Sequence, residues 1–388
     1  MATFASSSSL KQQLIILTFL FAILTTLQSP VNACFTSIFS FGDSITDTGN
    51  LLAISRLESR RLPSSAFLPN GRSFFHRPTG RRCDGRLIID FLAEALGFPF
   101  LPPYYGSKNG RSEQFETGVN FAVAAATALN SSFLAGKGIP SPTTNISLQV
   151  QVNSFKDLLP SLCSSSSDCK ELLRTSLIAM GEIGGNDYNH ALRKGLNFEE
   201  IRELVPRVVD IIISSINELV DLGAVTFLVP GNFPIGCSPS FLTQFQGSHK
   251  DEYDRFGCLT WLNQFSEYHN QLLQNQLEKL RTRRPDINIV YADYYNPTMK
   301  LYHSPKRFGF KETLKVCCGS GGPYNYNASI SCGYPPLERS CNDPSSYISW
   351  DGIHYTEATY KLVANAVFED LMNYIRSLNR EECIPSQT

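Results

Sequence analysis

The stretch CFTSIFSFGDSITDTGN, residues 34–50, runs from a short apolar β-type segment straight into turn-forming residues. A buried strand that ends on Gly42, Asp43 and Ser44 has two readings. The serine can belong to a turn and do nothing more. It can also be a nucleophile held at the carboxyl edge of a parallel sheet, where open α/β folds gather their reactive groups. The order of strands and helices in the rest of the chain bears on the choice.

Four more β-type runs follow: GVNFAVA (118–124), SLIAMGEI (176–183), AVTFLVP (224–230) and INIVYAD (287–293). Helical patterns lie between them, at 87–97, 147–159, 198–223 and 256–281, and a last one at 356–377 closes the chain. In the third pattern Ile201, Leu204, Val208, Ile211, Ile212, Ile216 and Leu219 form one apolar stripe that ends at Gly223. Buried strands alternating with amphipathic helices predict an α/β fold: a flavodoxin-like, three-layer α/β/α arrangement around a five-stranded parallel sheet. Three strand ends then carry chemistry, in FGDS, NFAVAAA and GEIGGNDYN.

Residues 1–33 are set aside from the fold. Lys11 precedes the apolar run LIILTFLFAILTTL, and Val31 and Ala33 are small residues at the −3 and −1 positions of a cleavage site. This is the pattern of a secretory signal peptide. The remainder, 34–388, is expected to form a single domain, secreted to the apoplast or to the vacuole, without stable membrane insertion and as a monomer. Its charge is nearly balanced: the whole chain carries −1. No basic patch is available to bind a phosphate backbone, so nucleic acid is not expected as a partner. The cluster Arg77, Arg81, Arg82 and Arg86 is broken by Pro, Gly and Asp and reads as a solvated loop. Eleven cysteines in a secreted chain point to disulfides. Cys163 and Cys169 bracket one short polar loop, Cys237 and Cys258 flank another, and the pairing of Cys317, Cys318, Cys332 and Cys341 stays open. Asn130, Asn145 and Asn327 head glycosylation sequons. No zinc-type pattern is present, and neither a metal nor a cofactor is expected.

A serine hydroxyl needs a base to take its proton, and the base needs an orienting partner. Of six histidines, His249, His269 and His303 lie in polar or helical surroundings that suit solvated surface. His354 stands in WDGIHYT, three residues after Asp351. A D-x-x-H turn can bring the carboxylate to Nδ1–H, or it can merely support the start of a helix. Asn186, in GGND, is an amide suited to hold an oxyanion, or equally the head of an Asx-turn. The G-x-S-x-G nucleophile elbow is missing, because Thr46 stands where it needs glycine. The combination is more specific than its parts: a serine after the first strand, small residues after the second, an amide after the third and D-x-x-H before the last helix.

In these blocks the chain resembles the GDSL, or SGNH, esterase/lipase family, in its large secreted plant branch. FGDSITDTGN, GVNFAVAAATAL, GGND and WDGIHYT are similar to the family's first, second, third and fifth blocks, and VPGNFPIGC, YADYYNP and CCGSGGPYNYN extend the likeness over the mature chain. The resemblance implies the SGNH hydrolase fold, with Ser44 as nucleophile and His354 as general base oriented by Asp351. It also implies an oxyanion hole made by the backbone N–H of Ser44, a backbone N–H of the second block and the side chain of Asn186. In that second block the family usually has glycine five residues after its asparagine. Counting from Asn120, the position is Ala125, which keeps the N–H and adds a methyl group. A positive φ there would strain the alanine, whereas a negative φ would only narrow the pocket.

The likeness is strongest to plant esterases of small acylated metabolites, such as alkaloid acetates or choline esters of phenolic acids. Tyr188, Tyr324 and Tyr326 are candidates for aromatic walls facing a flat or cationic substrate. A lipid or cell-wall acetyl esterase, an acyltransferase using the same acyl-enzyme, and a non-catalytic binding or defence protein are the alternatives.

Overall fold

A computed structural model describes residues 35–106, 115–141, 143–247, 252–337 and 339–378. Residues 1–33, expected to be a signal peptide, and Cys34, His249 and Cys383 lie outside the described residues. Strands β1 (Ser37–Ser40), β2 (Gly118–Asn120), β3 (Ser176–Ala179), β4 (Thr226–Pro230) and β5 (Asn288–Ala292) form one parallel sheet in the order β2-β1-β3-β4-β5. That is the doubly wound order expected of a flavodoxin-like fold, and each strand falls inside its predicted run.

Both faces of the sheet are covered, which explains why its strands read as continuous apolar runs. Phe39, Ile178, Phe227, Val229 and Ile289 point into one core, and their neighbours Ile38, Leu177, Leu228 and Val290 into the other. The principal helices are α1 (Asn50–Leu57), α2 (Ile88–Ala95), α3 (Leu148–Leu158), α4 (Gly185–Lys194), α5 (Leu204–Leu222), α6 (Thr260–Arg283) and α7 (Glu357–Ser377). Helices α3, α5 and α6 contribute to the first core, α2 and α7 to the second.

Three expectations change. The helix predicted over 198–223 is two helices, Phe198–Arg202 and α5, with Glu203 between them. Pro206 has no N–H to bond the carbonyl of Arg202, so the helical ladder is interrupted there. Helix α6 starts at Thr260 rather than near 256, because Asp254 Oδ1 accepts the N–H groups of Phe256 and Cys258 (2.8 and 2.9 Å) and holds a turn. A two-stranded sheet, β6 (Glu312–Val316) with β7 (Tyr347–Ser349), was not foreseen.

The arginine-rich segment is not simply a solvated loop. Arg81 is buried and bonds both oxygens of Asp90 at 2.8 and 2.7 Å, and Arg86 bonds Glu357 Oε1 and Glu94 Oε2. Arg86 and Asp84, which accepts the Glu357 N–H at 2.8 Å, tie this segment to the first turn of α7, three residues beyond His354. Among the described residues four disulfides join Cys163–Cys169, Cys237–Cys258, Cys317–Cys341 and Cys318–Cys332, and Cys83 is a buried free thiol. Among the described residues no helix is long and apolar enough to cross a membrane.

Candidate active site

Beyond β1 the chain turns sharply, and Gly42 permits it with a φ of 131°. A Cβ at Gly42 would lie 3.0 Å from the Glu182 carbonyl oxygen. The side chain of Gln151, on α3, accepts the Gly42 N–H at 2.9 Å and donates to its carbonyl at 2.8 Å. Asp43 continues the turn: its carbonyl accepts from Thr46 and Asp47, and its Oδ1 accepts the Ile45 N–H. Ser44 is thereby held at the carboxyl edge of the sheet. Asp47 accepts N–H groups from Gly49, Asn50 and Leu51 at the start of α1 and from Ala124 in the loop after β2, joining the first two motif blocks.

Asp351 and His354 sit in a tight turn between β7 and α7. Asp351 Oδ1 accepts the backbone N–H groups of Ile353 and His354 at 2.9 and 2.8 Å, and Trp350 N–H donates to the His354 carbonyl. The same carboxylate lies 2.8 Å from His354 Nδ1. His354 Nε2 lies 2.8 Å from Ser44 Oγ, across 310 residues of sequence. An Nδ1–H donated to the carboxylate leaves Nε2 as the acceptor facing the hydroxyl. Burial pushes the Asp351 carboxyl upward, but the charge and hydrogen bonds of His354, with the two backbone N–H groups, outweigh it and bring it down to about 2.

The second and third blocks meet at the same place. Asn186, on α4, donates from Nδ2 to Asp43 Oδ2 at 2.6 Å and to the Ala126 carbonyl at 3.1 Å. Both of its amide hydrogens are therefore directed at protein acceptors. The backbone N–H groups of Ser44 and Ala125, in contrast, meet no protein acceptor among the described residues. Ala125 has a φ of 68°, so it belongs to the strained alternative. The ring of His190 lies beside the Ala125 backbone, and Asp187 accepts the N–H groups of Ala128 and Leu129 at 2.8 and 2.9 Å. Together they fix the loop in that conformation. Replacing Ala125 by glycine is expected to leave thermal stability unchanged or raised, against a loss of roughly 1 kcal/mol for this change in an ordinary helix. Activity should stay equal or rise a few-fold, and a drop in melting temperature of several degrees would show that the alanine is unstrained.

Several supporting residues carried no signal in the sequence. Glu182 shares a hydrogen bond with Asp43, and burial, reinforced by their mutual repulsion, pushes the Asp43 carboxyl well up. Burial likewise lifts Asp187 to about 7, against the pull of its backbone donors. Neither Glu182 nor Gln151 belongs to a spacing pattern that could have been searched for; only tertiary packing assigns them. Two expectations are corrected. Tyr188 is buried in the core with its hydroxyl 2.9 Å from His269 Nδ1, so it walls no substrate site. His269 is buried rather than solvated, and burial brings its imidazole down to about 4. Tyr324 is half-buried, and Tyr326 lines a surface groove beside His354.

The sequence profile of the GDSL-like Lipase/Acylhydrolase family matches residues 38–367. The chain is 54% identical over 351 residues to the Arabidopsis thaliana GDSL esterase/lipase At1g28570, covering 90% of this chain and 89% of that one. It is 55% identical over 353 residues to At2g27360 of the same plant, covering 90% and 88%. A solved structure of an acetyl-xylooligosaccharide esterase mutant from Geobacillus stearmophilus is a far looser match, 11% identical with a TM-score of 0.35 over 87% of this chain and 94% of that one.

Proposed function

The chain belongs to the GDSL-like lipase/acylhydrolase family, and on that premise we propose that it cleaves carboxylic esters through an acyl-enzyme formed on Ser44. The observation that carries this reading is the unbroken chain Ser44 Oγ–His354 Nε2 and His354 Nδ1–Asp351, each link 2.8 Å. Ser44 Oγ attacks the ester carbonyl carbon while its proton passes to Nε2. The carbonyl oxygen becomes an oxyanion, taken by the open N–H groups of Ser44 and Ala125. Asn186 joins them by releasing its longer bond to Ala126, a tightening that ligand-free sites commonly await. The carbon–oxygen bond to the alcohol then breaks, and the proton on Nε2 goes to the departing oxygen. Water, deprotonated by the same imidazole, attacks the acyl carbon and frees the acid and Ser44.

A small cavity of about 40 Å³ opens beside the nucleophile, lined by Ser44, Ile45, Asn186, Phe233, Ile235 and Tyr355 among others. That is room for two or three water molecules or an acetyl group, since a single water needs roughly 10–15 Å³ on this measure. A phenolic acyl group or a fatty chain would have to extend out of it through its open side. The acetate of a small specialised metabolite is therefore the favoured substrate. Secretion through residues 1–33 and glycosylation are part of the same proposal; Asn130, Asn145 and Asn327 are all exposed.

The test is hydrolysis of p-nitrophenyl acetate and p-nitrophenyl octanoate by disulfide-intact protein, with mass-spectrometric mapping of a fluorophosphonate label. Labelling at Ser44 and a kcat/KM for acetate at least about tenfold above octanoate are expected, because the longer chain extends beyond the small cavity. A label on another residue would remove Ser44 from the mechanism, and a preference for octanoate would remove the short-acyl reading.

A further inference from the structure

Two hollows flank the Ser44–His354 pair, one on each residue's side, and they differ in size and in charge. The small cavity is lined by Ser44 and Asn186 but not by His354. The second hollow is a groove of about 630 Å³, lined by His354, Asp351, Ile353, Tyr326, Arg82 and Arg193 among others. Because His354 returns its proton to the departing alcohol oxygen, the alcohol half of the ester lies on the imidazole side. The acyl half stays with Ser44 in the small cavity, and the groove receives the alcohol.

The chemistry of the groove is one-sided. Arg82 is half-buried, and its Nη1 reaches Ser64 Oγ, another lining residue, at 3.5 Å. Arg193 is exposed in the last turn of α4. Among the described residues neither guanidinium lies within 4.0 Å of a carboxylate. Among the described lining residues Asp351 is the one acid, and it is engaged by His354. Tyr326 stands against the Asp351–His354 turn: a Cβ at Gly352 would lie 2.2 Å from its ring, so the absence of a side chain there admits the aromatic wall. Its described lining therefore offers two cations without a carboxylate partner and an aromatic face, with no free anion.

We infer that the alcohol half of the substrate carries an anionic group, a carboxylate or an equivalent oxyanion, which Arg82 and Arg193 bind while its body rests against Tyr326. Guanidinium forks match the planar geometry of such a group, and their field draws an anion toward the imidazole. The same field disfavours a quaternary ammonium or a protonated amine on the alcohol. This assignment rests on the acyl-enzyme reading above for the direction in which the ester lies.

The test uses three aryl acetates of one shape, in which only the para substituent changes: 4-acetoxybenzoate, 4-acetoxybenzamide and the 4-acetoxyphenyl trimethylammonium ion. With each rate divided by that of hydroxide, kcat/KM for the benzoate is expected to exceed the benzamide by roughly tenfold, as two partly exposed charge contacts allow, with the ammonium ester slowest. The ratio of benzoate to benzamide should fall toward one in Arg82→Gln/Arg193→Gln and shrink with added salt. A ratio of one in the wild type, or a tenfold ratio that survives the double substitution, overturns the inference. Calorimetric titration of Ser44→Ala protein with 4-hydroxybenzoate and 4-hydroxybenzamide separates this from the esterase reading. Preferential binding of the anion, lost when the two arginine changes are added, upholds the groove assignment even if no acetate is cleaved, and equal binding of the two phenols rejects it.

Discussion

Ser44→Ala protein should hydrolyse p-nitrophenyl acetate with a kcat about 10⁵- to 10⁶-fold below wild type, the scale seen when a serine nucleophile is removed from a triad. The hydroxyl is the one group that meets His354 Nε2, at 2.8 Å. Removing it leaves the turn around Asp43, the Gln151 clamp on Gly42 and the sheet untouched, because none of these uses Ser44 Oγ. The melting temperature should consequently shift by only a few degrees, the cost of one imidazole nitrogen left without a partner. Turnover within tenfold of wild type, in folded protein, would disprove the nucleophile assignment.

Asp351→Asn carries the second large effect, a fall in kcat of about 10⁴-fold. An amide –NH₂ facing Nδ1 favours the tautomer that carries its proton on Nε2, and that nitrogen then cannot accept the proton of Ser44. The backbone N–H groups of Ile353 and His354 can still donate to the remaining amide oxygen, so the turn survives. A loss below tenfold would mean that Asp351 only shapes the turn. The wild-type carboxyl, held at about 2, stays ionised across the working range. The sign for stability follows from the same shift. Because the folded carboxyl titrates below its unfolded counterpart, near 4, its contribution is complete above pH ~4 and is lost as pH falls through about 2.

The active-site candidates differ in how much of their behaviour is local. Asp351 and His354 are three residues apart and share one turn, so their pairing could be entertained from D-x-x-H alone. Asn186 was legible as an amide at a strand end, yet which acceptors take its hydrogens depends on Asp43 and Ala126, 143 and 60 residues away. At Ala125 the sequence posed a choice between two backbone conformations. The φ of 68° answers it, because His190 and Asp187 hold the loop from a helix on another element. The polar neighbours of His269 along the chain say little about a helix face that packs inward, and Tyr188, close to a strand end in sequence, lies on α4 with its ring in the core.

Strand and helix order, the parallel sheet and the motif blocks are periodic or short-range properties. They follow from side-chain type at spacings of two or three to four residues, and they are readable without coordinates. Where Ser44 meets His354, which arginines are paired and which stand free, how small the acyl cavity is and how one-sided the groove becomes are of another kind. Each depends on atoms brought together from distant parts of the chain, where burial and hydrogen-bond geometry, not residue type, set the outcome.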